Sequence, residues 1–137
     1  MNQQHENNPF MKGYIYGIYC KTTKKLYIGS SISPMKKRLS DHISDMKGAM
    51  GLLNCKRNYR TSSEVLIGEN YIHWKIEDFP CETKKELHYR ETLWIIKGRK
   101  ECQCVNRNLP VFIPKKDQSL LDLSVLSLSF SFLEDLS

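Results

Sequence analysis

No apolar run in this chain reaches the ~18 residues that a membrane-spanning helix requires, so a helical membrane protein is excluded and a soluble one without a membrane partner is expected. The opening residues, "MNQQHENNPFM", lack the basic-then-apolar character of a secretory leader. Cysteine is odd in number, at five, so a full set of disulfides cannot form. Reduced thiols and an intracellular location are expected. The paired cysteine spacing of structural zinc sites is also missing: only Cys102-Gln103-Cys104, with His73 and His88 elsewhere, offers soft ligands, and zinc is disfavoured. Acidic residues are few in the body of the chain. Residues 115–137 hold two lysines against four acids, which leaves +8 on residues 1–114 out of a total of +6. That excess suits a polyanionic partner, although it serves solubility equally well.

What is present is one domain's worth of sequence, 137 residues and 40% hydrophobic. Residues 1–11 are polar and read as a disordered segment. The folded unit is expected over 12–114, with a tail from 115 to 137. The stretch "GYIYGIYCKTTKKLYIG", residues 13–29, packs four tyrosines into seventeen positions. It reads as a β-hairpin around "KTTK". A three-residue loop, Thr22 to Lys24, sets Tyr19 opposite Tyr27 on one face of the sheet.

"SPMKKRLSDHISDMKG" follows, with Ser33 as helix cap, Pro34 in the first turn and Gly48 as the stop. Met35, Leu39, Ile43 and Met46 form its apolar stripe, and Arg38 and His42 lie one turn apart on a flank. Residues 48–63 carry Lys56, Arg57 and Arg60 without periodicity and read as a basic loop. "EVLI" and "YIHWKIEDF" read as a second hairpin with His73 on the wet face. "TKKELHYRETLWIIKG" is a helix from a Thr83–Glu86 capping box to Gly98. On its period Glu91 falls among Leu87, Trp94 and Ile95. A carboxylate in an apolar stripe needs a cation or a metal, because an unpaired buried charge costs several kcal/mol. "ECQCVNRNLP" then brings in Asn106. In the tail, "LLDLSVLSLSFSFLEDLS", leucine and phenylalanine alternate with serine and the phase slips at Val125-Leu126. An edge strand, a partner-binding strand and a sticky disordered end all remain open.

Gly17-Ile18-Tyr19 and Tyr27-Ile28-Gly29, followed in order by Arg38, His42, Arg90-Glu91 with Trp94-Ile95, and Asn106, resemble the pattern of the GIY-YIG endonuclease family. The likeness spans roughly residues 13–108. The intervening segment looks like the short stand-alone members of large DNA viruses, which would place the chain in the nucleus or cytoplasm of an infected cell. The resemblance implies a small α/β (α+β) fold around a central three-stranded antiparallel sheet flanked by helices. It implies a metal-dependent endonuclease acting on DNA; the alternative is a non-catalytic nucleic-acid-binding module on the same fold.

Under that resemblance Tyr19 is the general base or is coupled to it, Tyr27 hydrogen-bonds around the nucleophile and Arg38 neutralises the phosphorane. His42 supports Tyr19 or the phosphate, Asn106 braces the site, and Glu91 holds one divalent ion, magnesium or alternatively manganese. Lys56, Arg57 and Arg60 are the candidates for DNA affinity.

Overall fold

The computed structural model describes residues 7–49 and 62–136. Its centre is a four-stranded sheet of order β3-β1-β2-β4, built from β1 (Tyr14–Cys20), β2 (Lys25–Ser31), β3 (Tyr71–Asp78) and β4 (Gln103–Cys104). Strands β2 and β3 flank β1 in antiparallel fashion, while β4 adds two residues parallel to Lys25 and Leu26. The expected three antiparallel strands are there, with β4 as an extra edge. Helix α1 (Met35–Ala49) and the single turn α2 (Ser63–Leu66) cover one face; α3 (Lys84–Glu101) covers the other. "EVLI" is therefore mostly helical, not a strand, and the chain re-enters the sheet through Glu69 at a φ of 57°.

All seven residues of β1 are buried. Tyr14, Tyr16, Ile18 and Cys20 pack under α1 and α2, whereas Ile15 and Tyr19 pack under α3. The turn before β2 spans four residues, 21–24, closed by Lys24 N–H donating to the Cys20 carbonyl at 2.8 Å with Lys24 at a φ of 63°. Tyr19 accordingly pairs with Leu26, Ile18 with Tyr27 and Tyr16 with Gly29. This corrects the expected Tyr19–Tyr27 pairing, because one extra loop residue transfers every side chain to the other face.

Glycine follows the same logic. A Cβ at Gly17 would fall 2.8 Å from Trp74 Cζ3, and one at Gly29 would fall 2.5 Å from Tyr16 Cζ. The two glycines make room for aromatic rings on opposite faces of the sheet. Gly48 and Gly98, expected as helix stops, instead lie inside α1 and α3.

Strand β3 carries an irregularity opposite Ile15 and Tyr16 that leaves Ile76 unpaired and sets Glu77 against Ile15. Unbroken alternation would put Glu77 on the face of His73; the irregularity turns it to α3 instead. Its carboxylate accepts from Trp94 Nε1 at 2.9 Å and takes a two-pronged bond from Arg90 on α3. That clamp sets the rotation of α3 and turns the next residue, Glu91, toward β2.

Both ends of the chain are more engaged than their composition implies. Residues 7–11, part of the segment expected to be disordered, enter a 3-10 turn (Pro9–Lys12) capped by Asn8; Phe10 packs on the core and its carbonyl accepts from Cys81 N–H at 3.0 Å. The tail, beyond the short helix α4 (Lys115–Gln118), is neither an added strand nor a loose end. Its Leu126, Phe130 and Leu133 are at most 2% exposed within the α3-side core. Phe130 and Phe132 meet Trp94 and Trp74 edge-on, each at 5.7 Å between ring centres. The serines that alternate with these apolar residues, Ser124, Ser127, Ser129 and Ser131, remain exposed. Phe130→Ala should cost about 3–5 kcal/mol of stability in chemical denaturation; a loss under about 1 kcal/mol would mean that the tail adds little to the core.

Candidate active site

Because β4 ends after two residues, the edge of β2 from Tyr27 to Ser31 is open to groups from both layers. Asn106 uses part of that edge. Its Nδ2 donates to the Ile28 carbonyl at 2.7 Å and its Oδ1 accepts from Ile28 N–H at 2.9 Å, so one amide does the work of a strand. Cys104 Sγ donates to the same oxygen, and the Asn106 carbonyl accepts from Arg99. Asn106 thus holds the strand that bears Tyr27.

A cavity of about 350 Å³ opens along this edge, with Tyr27, Arg38, His42, Glu91, Asn106 and Arg107 among its walls. Beneath it, the Tyr16 hydroxyl joins two residues of α1. Arg38 Nε donates to it at 3.1 Å, and His42 Nε2 lies 2.5 Å away. A guanidinium can only donate, so the Tyr16 oxygen accepts from Arg38 and its proton goes to His42 Nε2. His42 then carries its own proton on Nδ1 and donates to Ser62 Oγ at 2.8 Å. The imidazole is only 3% exposed. Burial first, then Arg38 and His73, lower its pKa to about 3, so the ring is neutral and an acceptor at Nε2. Burial likewise pushes the Tyr16 hydroxyl well above the usual tyrosine value, against the opposing pull of Arg38. The free protein therefore keeps Tyr16 protonated, with a cation on one side and a base on the other.

Glu91 reaches the cavity from α3 and accepts a short hydrogen bond from the Ser30 hydroxyl. Desolvation raises its pKa to about 7, with Ser30 and Arg38 pulling the other way. The carboxylate is short of countercharge. Among the described residues no group of three or more His, Cys, Asp or Glu side chains gathers. The cavity lining holds two carboxylates, Glu91 and Asp45; so sparse a set is a poor cage for zinc or calcium, yet it fits magnesium, which keeps several waters and takes one or two carboxylates together with substrate phosphate.

Of the residues expected at the site, Tyr27, Arg38, His42, Glu91 and Asn106 meet at this cavity. Tyr19 does not: it packs in the α3-side core on the opposite face of the sheet, and Tyr16 instead meets Arg38 and His42. Lys56, Arg57 and Arg60 lie outside the described residues. Tyr16, Ser30 and Ser62 were missed. Tyr16 was legible only through the loop length, and Ser30 through its adjacency to Gly29; nothing local marks Ser62. His73, expected on the wet face, sets its ring edge-on to Tyr16 at 5.3 Å, and its Nε2 is buried.

The raised pKa of Glu91 makes a stability prediction in the absence of metal. The folded state binds the proton more tightly than the unfolded state does, so the carboxyl imposes no penalty below pH 4.5. The penalty grows as pH rises to about 7 and is constant above it. Thermal melts in chelator should show Glu91→Gln gaining on wild type through that window, and parallel curves at all pH values would refute the desolvated carboxylate.

The family model described as the GIY-YIG catalytic domain matches residues 12–103. No curated protein and no solved structure matches the chain.

Proposed function

The chain belongs to the GIY-YIG family, and on that premise we propose that it is a divalent-metal-dependent endonuclease that cleaves DNA phosphodiesters in the cavity beside Arg38, Tyr16 and Glu91. Membership of the family implies nuclease activity in general, with DNA as substrate and a divalent metal. The observation that carries the finer reading is the run Arg38–Tyr16–His42 set across a cavity from a desolvated carboxylate.

Hydrolysis of a phosphodiester needs a nucleophilic water, stabilisation of charge on the non-bridging oxygens and help for the departing oxygen. Arg38 lines the cavity and meets the first charge to arrive. Its guanidinium both faces the phosphate and holds the Tyr16 oxygen. Tyr16 accepts the proton of the attacking water as its own passes to His42 Nε2. An unperturbed phenol leaves roughly one molecule in a thousand ionised at pH 7, a deficit of about 4 kcal/mol, and burial deepens it. Arg38 offsets part of it by favouring the phenolate, and His42, itself a weak base with its pKa lowered to about 3, holds the proton only in transit. Ser62 keeps His42 in the tautomer this transfer needs. Tyr27, on the wall, orients the water, and Asn106 fixes the strand beneath Tyr27.

Glu91, supported by Ser30, would hold the divalent ion, magnesium by the size of the donor set, and that ion would stabilise the departing oxygen. A polyanion-binding module without chemistry gains nothing from a carboxylate held out of water, which disfavours the non-catalytic alternative. Lys56, Arg57 and Arg60 remain candidates for general DNA affinity. Among the described residues neither a zinc finger nor a separate helix-turn-helix unit extends the surface for base readout, so relaxed or structure-directed specificity is expected.

Incubation of the full chain with supercoiled plasmid, with and without magnesium, tests the reading. Metal-dependent nicking supports it, and binding without nicking would favour the non-catalytic module. Glu91→Gln should reduce nicking by ~10³ or more, and near wild-type cleavage would remove Glu91 from the metal role.

The tyrosines should separate cleanly. Tyr16→Phe is expected to be inactive, whereas Tyr19→Phe, which loses only a hydroxyl on the opposite face, should stay within about threefold of wild type at temperatures where both are folded. The reverse ranking would require the hairpin register to be redrawn.

A further inference from the structure

The candidate active site does not end at Arg38. A second cavity, of about 340 Å³, lies on the far side of that guanidinium, which is a wall of both. Ser30, whose hydroxyl supports Glu91, also lines it. Lys84 and His88 of α3, a cation and a hydrogen-bond donor, stand one helical turn apart on its rim, with Ser31 and Ser33 beside them. The remaining wall is apolar, formed by Phe10, Ile32 and Leu87. Among the described residues, the only carboxylate lining this cavity, that of Asp41, is already paired with Lys37 at 3.3 Å.

From this geometry we infer that the second cavity is a subsite for the nucleotide next to the cleaved bond, with Lys84 and His88 on its phosphate and the Phe10 side against its sugar or base. The inference rests on the nuclease reading. A DNA strand presents a phosphate every ~3.4 Å of helix axis, so a phosphate seated at Arg38 must have a covalent neighbour close by. Cations and hydroxyls facing an apolar wall match a nucleotide better than a bare anion. Both cavities lie along the same open edge of β2, so one strand can run past Arg38 through the two of them. Burial and Lys84 keep His88 below the usual histidine pKa, which leaves it a neutral hydrogen-bond donor in the empty subsite. Phe10 gives the N-terminal 3-10 turn a part in this surface.

The test uses the full chain with metal omitted, and reads anisotropy of a fluorescein-labelled oligothymidylate and of a labelled mixed-sequence duplex over a range of salt. Lys84→Ala should weaken binding about tenfold and lower the slope of log affinity against log salt by ~0.7–0.9, one phosphate contact. His88→Ala should weaken binding several-fold, and Lys84→Arg should restore it. Lys115→Ala removes the same charge from α4, which lines neither cavity, and should change affinity less than about twofold. Lys84 is exposed, so its loss leaves the fold intact. Wild-type affinity and slope in Lys84→Ala, or an equal loss in Lys115→Ala, would overturn the subsite. Failure of the wild type to nick plasmid would instead overturn the nuclease reading, and it leaves this binding comparison legible.

Discussion

The structure turns on the burial of β1 from both sides. Each face has its own assignment: tyrosines and a histidine network under α1, and an aliphatic and tryptophan core under α3. The four-residue turn at 21–24 decides which tyrosine goes where. It sends Tyr16 over Gly29 to meet Arg38 and His42, and Tyr19 into the opposite core. Every later feature of the site depends on that placement, since Tyr16 is what ties the cation and the imidazole of α1 to the sheet.

A second dependency is electrostatic. The Glu77–Arg90–Trp94 clamp satisfies one partly buried charge pair on α3 and fixes the helix about its axis. The neighbouring Glu91 has no such compensation and bears the cost of desolvation. Two adjacent residues on one helix thus differ: Arg90 is paired and stabilises the fold, whereas Glu91 is held in the cavity wall at the expense of stability. Sites of this kind are where local consistency breaks down in an otherwise well-satisfied structure.

The short β4 and the packed tail complete the arrangement. If β4 had continued along β2, it would have closed the edge on which both cavities open. Asn106 pairs with Ile28 where the strand does not, so the edge is held in shape without being covered. The tail meanwhile buries Leu126, Phe130 and Leu133 against the α3-side core. A modest domain gains apolar burial there while its working edge stays open.

The sequence by itself marked two of the helices, the first hairpin and several of the residues that line the cavity. Proline and capping residues marked α1 and α3, turn chemistry marked the first hairpin, and helical spacing put Arg38 beside His42 and Glu91 inside an apolar stripe. It could not determine the phase of β1, because a strand buried on both faces has no polar alternation to read. Nor could it tell "EVLI" as helix from "EVLI" as strand, since so short an apolar run carries no decisive period. Tertiary structure alone decided that Tyr16 and not Tyr19 meets Arg38 and His42, that Ser62 and Ser30 bond to His42 and Glu91, and that the tail packs inward. Each of these depends on contacts between residues far apart in sequence, and no local pattern encodes them.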